Sequence, residues 1–227
     1  EEWGHQGFCV SDWGAVNNRS EGLAAGMELE MPSSHGDGTK QIIESVNSGE
    51  LDEEILDRAV ERILKIVFKA VEKNKKDASY DKKAHHLLTR SIAAECMVLL
   101  KNEDKVLPLE KEGKIAILGS FAKNPRYQGG GSSHINVTEL DNAYEEIIKI
   151  TGESAEIEYA EAYSLEKDEI EAELIDEALE KAENSDVTVI FAGLPDRYES
   201  EGYDRESLAI PPNQQYLIEK IAEVQKN

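Results

Sequence analysis

The chain has 227 residues, 40% of them hydrophobic, enough to bury a core in one large or two modest domains. Its 47 acidic and 25 basic residues leave a formal net charge of −22, which repels nucleic acid and anionic membrane surfaces and favours a neutral ligand. Two cysteines argue against a disulfide framework, and no signal peptide or apolar stretch of about 18 residues directs the chain to or through a membrane, so the cytoplasm is the favoured compartment.

The first predicted element is a short strand, Gly7-Phe8-Cys9-Val10, too short and too β-rich for a helix and broken by Gly14 and Asn17-Asn18. It ends in Ser11-Asp12-Trp13, so Asp12 stands at the C-terminal tip of a strand, where parallel α/β proteins do their chemistry. Asp12 is therefore a candidate nucleophile; the competing reading is an aspartate capping the turn before Arg19. A short helix from Arg19 to Ala25 and a second short strand, Met27–Met31, follow. Residues 37–71 carry an amphipathic helical pattern interrupted at Asn47-Ser48-Gly49, which predicts two helices.

Residues 72–84 are lysine-rich and nearly free of apolar side chains, the composition of a linker. Helical periodicity returns over His85–Leu100, and Leu107-Pro108-Leu109 turns the chain into a new unit. There strands at 115–118, 157–159 and 187–192 alternate with helices at 141–150, 168–182 and 213–224, the pattern of a parallel sheet with right-handed crossovers. Cys9 and Cys96 each have the setting of a small buried hydrophobe, and the acidic run through Asp168 and Glu180 reads as solvated helix surface.

Two loops follow strands of this second unit on the face where open α/β sheets bind ligands. One holds Gln128-Gly129-Gly130-Gly131-Ser132-Ser133-His134; its glycines could cradle a phosphate, but it lacks the Lys-Ser/Thr ending of a P-loop and opens no helix. The other holds Tyr198-Glu199-Ser200-Glu201-Gly202-Tyr203-Asp204-Arg205. Cleaving an acetal needs a carboxylate on one side of the anomeric carbon and a proton donor on the other, ~5–5.5 Å apart in retaining enzymes. Asp12 and a glutamate of this loop could form that pair, the donor having its pKa raised by apolar surroundings and by the nucleophile's charge. A plain acidic surface loop is the alternative. The five histidines show no ligand spacing with Cys or acids, so no metal site is expected.

Taken in order, Gly7–Val16, Ala25–Pro32, Ala93–Asn102 with Leu107-Pro108-Leu109, Ile117-Leu118-Gly119, Gln128–Ser133 and Glu199–Arg205 followed by Ile210-Pro211 and Gln214 resemble the landmarks of glycoside hydrolase family 3, the β-glucosidase family. The resemblance covers essentially the whole chain. It implies an α/β fold: the C-terminal part of a (β/α)8-type barrel, from its seventh strand, joined to part of a flavodoxin-like parallel α/β sandwich, with the active site at their junction. The expected boundaries are 1–71 for the end of the barrel, 72–113 for linker and connecting helix, and 114–227 for the sandwich. Asp12 matches the family's nucleophile, Trp13 an aromatic lining the leaving-group site, and Glu201, preferred to Glu199, its acid/base. The implied function is that of a retaining β-glycosidase hydrolysing terminal β-linked glucosyl residues, with a carbohydrate substrate and no cofactor. The groups that hold the sugar hydroxyls would lie mostly on earlier barrel strands, and the open edges of two barrel strands favour self-association. The alternative function is a flavodoxin-like module that binds a small ligand or anion through the glycine-rich loop, without catalysis and with no role for Asp12.

Overall fold

A computed structural model describes residues 2–103 and 105–225. The chain forms two compact units, Glu1–Tyr80 and Asp81–Asn227.

In the first unit, two extended segments pair in parallel through Val10 and Leu29, the Ser11 amide donating to the Leu29 carbonyl and the Leu29 amide to that of Cys9. Helix α1 (Arg19–Ala24) connects them, started by Asn18, whose side chain accepts from the amides of Ser20 and Glu21. Helices α2 (Asp37–Ser48) and α3 (Glu53–Glu72) follow, separated at Gly49, whose φ of 82° ends α2 in the left-handed region. Leu23, Leu51 and Ala59 form the buried centre, with Ile42, Val46 and Ile55 packed around it. The Met27–Met31 segment is a single bridge rather than a regular strand, because its backbone is held by side chains instead of a ladder: Arg19 donates to the carbonyls of Met27 and Glu28.

The second unit begins with α4 (Lys82–Cys96), capped by Asp81. This helix stops four residues short of the periodicity: Met97 turns to extended backbone, since four successive apolar residues, Met97–Leu100, fit no one-sided helix. Strands β1 (Gly113–Leu118), β2 (Ala155–Ala160) and β3 (Val187–Ile190) then form a parallel sheet in the order β2-β1-β3. Between them run α5 (Ala143–Thr151) and α6 (Ala172–Glu183), with α7 (Pro212–Val224) after β3. The strand order reverses at β1, so right-handed crossovers place α5 and α6 on opposite faces of the sheet. One face of β1, Ala116 and Leu118, packs with Ala178, Leu217 and Ile221; the other, Ile115 and Ile117, packs with Tyr144 and Ile147. Both faces of the central strand are dry, as its unbroken apolar run requires. Where β1 ends, Gly119 has a φ of 111° and a Cβ there would meet the Phe191 carbonyl and the Tyr163 ring, so only glycine fits the crossing.

Helix α6 starts at Ala172 rather than Asp168, because Asp168 is drawn out of helical backbone to bind Arg197 and the Tyr198 hydroxyl. Neither cysteine has the expected burial: Cys9 opens onto a cleft of about 850 Å³ shared with Leu23, Glu28 and Arg62, and Cys96 is exposed at the end of α4. No helix among the described residues is long and apolar enough to cross a membrane.

Candidate active site

Asp12 is exposed, one residue beyond a buried serine that fixes its backbone. Ser11 Oγ donates to the Met31 carbonyl at 3.1 Å and accepts from the Met31 amide at 2.8 Å, stitching the tips of the two extended segments together. The Asp12 carboxylate accepts from the Trp13 amide at 2.7 Å, and the Trp13 ring is 65% exposed. Charge holds this arrangement from within the unit. Arg62 pairs with the buried Glu28 carboxylate at 2.8 Å, and that carboxylate also accepts from the Cys9 amide at 2.6 Å. Burial alone would raise the Glu28 pKa, but these bonds outweigh it and hold the carboxyl below its ordinary range. Asp12 thus ends a rigid segment and presents its free oxygen outward.

In the second unit the acidic loop is anchored from α7. Gln214 is fully buried and grips both sides of Gly193, accepting from its amide at 2.8 Å and donating to its carbonyl at 2.9 Å. Asn213 donates to the carbonyls of Ser164 and Lys167, so one helix start holds the loops after β2 and β3 together. Arg126 then ties the glycine-rich loop to the acidic one, with Nε 2.8 Å from Asp196 and Nη1 3.2 Å from Glu199. Beyond it, the amide of Ser200 donates to the Tyr203 carbonyl and that of Tyr203 to the Ser200 carbonyl, closing a tight turn with Glu201 and Gly202 at its tip.

Glu201 meets the glycine-rich loop there. The Ser132 amide donates to Oε2 at 2.9 Å and the Ser132 hydroxyl to Oε1 at 3.0 Å. Apolar surroundings and a charged nucleophile would raise the pKa of a proton donor; within this unit the direction at Glu201 is the opposite. The Ser132 amide first, then its hydroxyl, favour the charged form and lower the Glu201 pKa, and the exposed carboxylate meets little desolvation to oppose them. The two glutamates are thereby distinguished: Glu199 faces a guanidinium, whereas Glu201 is held by neutral donors at an exposed tip. The glycine-rich loop does cradle an anion, and the anion is Glu201. His134, in the same loop, is exposed.

Among the described residues one cluster has the makings of a cation site, His86, Glu139 and Asp141. The Asp141 oxygen that meets His86 at 3.0 Å also meets Arg90 at 2.8 Å, and Arg90 reaches Glu146 at 2.7 Å. A guanidinium already supplies the positive charge, so the cluster is an ion-pair network fastening α4 to the approach to α5.

Residues 97–227 match the model of the glycosyl hydrolase family 3 C-terminal domain. The chain belongs to glycosyl hydrolase family 3. Over its whole length it is 62% identical to a thermostable beta-glucosidase B of Acetivibrio thermocellus and covers 30% of that protein. It is 37% identical, again over its whole length, to an exo-alpha-(1->6)-L-arabinopyranosidase of Bifidobacterium breve, covering 31% of it. The structure of a GH3 beta-glucosidase from Bifidobacterium adolescentis superposes on all of this chain with a TM-score of 0.87 at 39% identity, the chain covering 33% of it. The chain therefore spans about a third of the length of these family 3 proteins. The fold expected from the sequence, a parallel sheet flanked by helices as in the family's sandwich, is the one found. The described residues contain no closed barrel; the first unit holds two extended segments and three helices.

Arg126, Ser132, Asn213 and Gln214 had no assigned role in the sequence argument. Ser132 was legible only as a member of a glycine-rich loop, because its partner lies 69 residues away. Asn213 and Gln214 read as a helix start, Gln214 also as a landmark of the family resemblance; two amides directly after Pro211-Pro212 can reach loops instead of solvent.

Proposed function

We propose that this chain carries the catalytic pair of a retaining β-glycosidase, hydrolysing terminal β-linked glucosyl residues, with Asp12 as nucleophile and Glu201 as acid/base. The observation that carries the reading is the 62% identity, across all of the chain, to a thermostable beta-glucosidase B. In this reading residues 1–71 are the end of the barrel domain, 72–113 the linker and connecting helix, and 114–227 the start of the sandwich domain. The exposed apolar face of α3, with Leu64, Phe68 and Val71, suits a helix that packs against further barrel.

The reaction would run in two steps. The Asp12 carboxylate attacks the anomeric carbon as the glycosidic C–O bond breaks, and Glu201 gives its proton to the departing oxygen. Glu201, now a carboxylate, removes a proton from water, whose oxygen attacks the glycosyl ester and frees Asp12. Trp13 offers an exposed ring on which a sugar's apolar face can stack, beside the nucleophile. Glu201 is favoured over Glu199 because the Glu199 carboxylate is engaged by the Arg126 guanidinium at 3.2 Å, whereas Glu201 stands at the exposed tip of the turn.

The test places this chain in the corresponding stretch of the Acetivibrio thermocellus enzyme. Asp12→Gly should abolish turnover of an aryl β-glucoside, and azide should restore part of it by attacking from the vacated space. Glu201→Ala should slow alkyl glucosides by about 10²–10⁴-fold while sparing aryl glucosides with good leaving groups, which need no proton. Full activity in Asp12→Gly, or leaving-group dependence that follows Glu199→Ala instead, overturns the assignment.

A further inference from the structure

The contact between Ser132 and Glu201 is built on both sides. Ser132 spends its amide and its hydroxyl on separate oxygens of one carboxylate, at 2.9 and 3.0 Å. The approach depends on the two preceding residues having no side chain. A Cβ on Gly131, whose φ is 71°, would lie 2.5 Å from the Glu201 Cβ and overlap its carboxylate, and one on Gly130 would lie 2.6 Å from the Ser200 Oγ. Glu201 is itself fixed from below by the reciprocal Ser200–Tyr203 turn. Neither half of the contact is a free surface loop.

We infer that Ser132 is the positioning residue for the Glu201 carboxylate, and that Gly130 and Gly131 are glycines because any side chain there would hold the loop off. The inference rests on the reading of Glu201 as acid/base for its catalytic meaning, although the contact itself does not. Its chemical consequence follows from donor and acceptor count. The Ser132 amide can only donate, so Oε2 stays an acceptor and the proton that Glu201 takes up rides on Oε1. The Ser132 hydroxyl, which can donate or accept, can stay on Oε1 in either protonation state while that proton is offered outward. Ser132 thereby confines the transferable proton to one oxygen and favours the carboxylate form that the second step of hydrolysis uses as base. No other titratable group is in hydrogen-bond contact with the Glu201 carboxylate among the described residues.

The first measurement needs no catalysis: carbon-detected NMR titration of the Glu201 side-chain carboxyl in the 227-residue chain. Ser132→Ala should move the midpoint up, toward that of an ordinary glutamate, and Gly131→Ala should move it further by displacing the amide as well. Ser132→Thr, which keeps both donors, should restore it. The amide spectrum of β1–β3 reports whether each variant is folded; if Gly131→Ala fails to fold, Ser132→Ala and Ser132→Thr decide. A midpoint unchanged in Ser132→Ala overturns the inference. The second measurement is the pH–rate profile of the enzyme carrying this chain. An acid whose pKa rises stays protonated to higher pH, so Ser132→Ala should carry the alkaline limb upward and leave the acidic limb in place. A shifted NMR midpoint with an unmoved limb supports the positioning contact and overturns the acid/base reading of Glu201; a uniform fall in rate at every pH, without an NMR shift, leaves Ser132 a merely structural residue.

Discussion

The segment that carries Asp12 is gripped by charged side chains, whereas the loop that carries Glu201 springs from a sheet packed between apolar layers. In the first unit the buried apolar centre is small, and the backbone around Leu29 is fixed by Arg19, by the Glu28–Arg62 pair and by Arg19 near Glu30 at 3.8 Å. In the second, Ala116, Leu118, Leu217 and Ile221 meet on one face of β1 and Ile115 and Ile117 fill the other. The difference teaches what each unit should respond to: the first to acid and loss of a charged partner, the second to loss of volume.

The largest expected effect tests the apolar half. Leu217 is fully buried between α7 and the sheet. Leu217→Ala should destabilise the second unit by about 2–5 kcal/mol through lost transfer energy and the cavity left behind. Residue-resolved hydrogen exchange should show faster opening at the amides of β1–β3. Protection unchanged there would break the contrast on its apolar side.

Next comes the charged half. Removing Arg62 leaves Glu28, whose side chain is 3% exposed, with the Cys9 amide but no cation. Arg62→Ala should cost about 1–3 kcal/mol, the range for a buried polar group that loses a partner. The pH dependence has a definite sign. Although burial works against it, the Cys9 and Arg62 bonds hold the folded Glu28 carboxyl below its ordinary value of 4.5. Its stabilisation is therefore complete above the unfolded value and fades as pH falls through the folded one. Exchange at the Ser11 and Leu29 amides should accelerate on acidification, and Arg62→Ala should flatten that response. An acid response identical in both proteins would show that another group governs the first unit.

What the sequence made legible follows the same division. The strands and helices of the second unit could be read because a continuous apolar run such as Ile115–Leu118 and an amphipathic repeat are local signatures of burial. The Arg19–Glu28–Arg62 network could not, since charged residues at positions 19, 28 and 62 look like surface until the fold brings them together. Cys9 was misread for a related reason: an apolar run shows that a segment is extended, not which of its side chains opens onto a cleft. At the candidate site, Asp12 and Glu201 were reachable through strand-end position and family resemblance. Their supports, Ser11 on Met31 and Ser132 on Glu201, use single hydroxyls whose partners are 20 and 69 residues distant, with no periodic signal to betray them.

The smallest expected effect asks whether loop charges matter to the second unit at all. Asp168 binds Arg197 Nη1 at 3.1 Å and accepts from the Tyr198 hydroxyl at 2.9 Å, just before the turn that carries Glu201. Arg197 is the main cause of a lowered Asp168 pKa, burial opposes it, and Tyr198 adds to the lowering. Both members of the ion pair are about a third exposed, so water and salt screen them, and Asp168→Ala should cost no more than about 1 kcal/mol at low salt. At about 1 M salt the difference from wild type should shrink, because the screening length is then comparable to a contact distance. Hydrogen exchange should quicken at Tyr198 while the amides of β1–β3 hold their protection. If Asp168→Ala loosened the sheet as much as Leu217→Ala, the second unit would depend on charge as the first does, and apolar packing would no longer distinguish them.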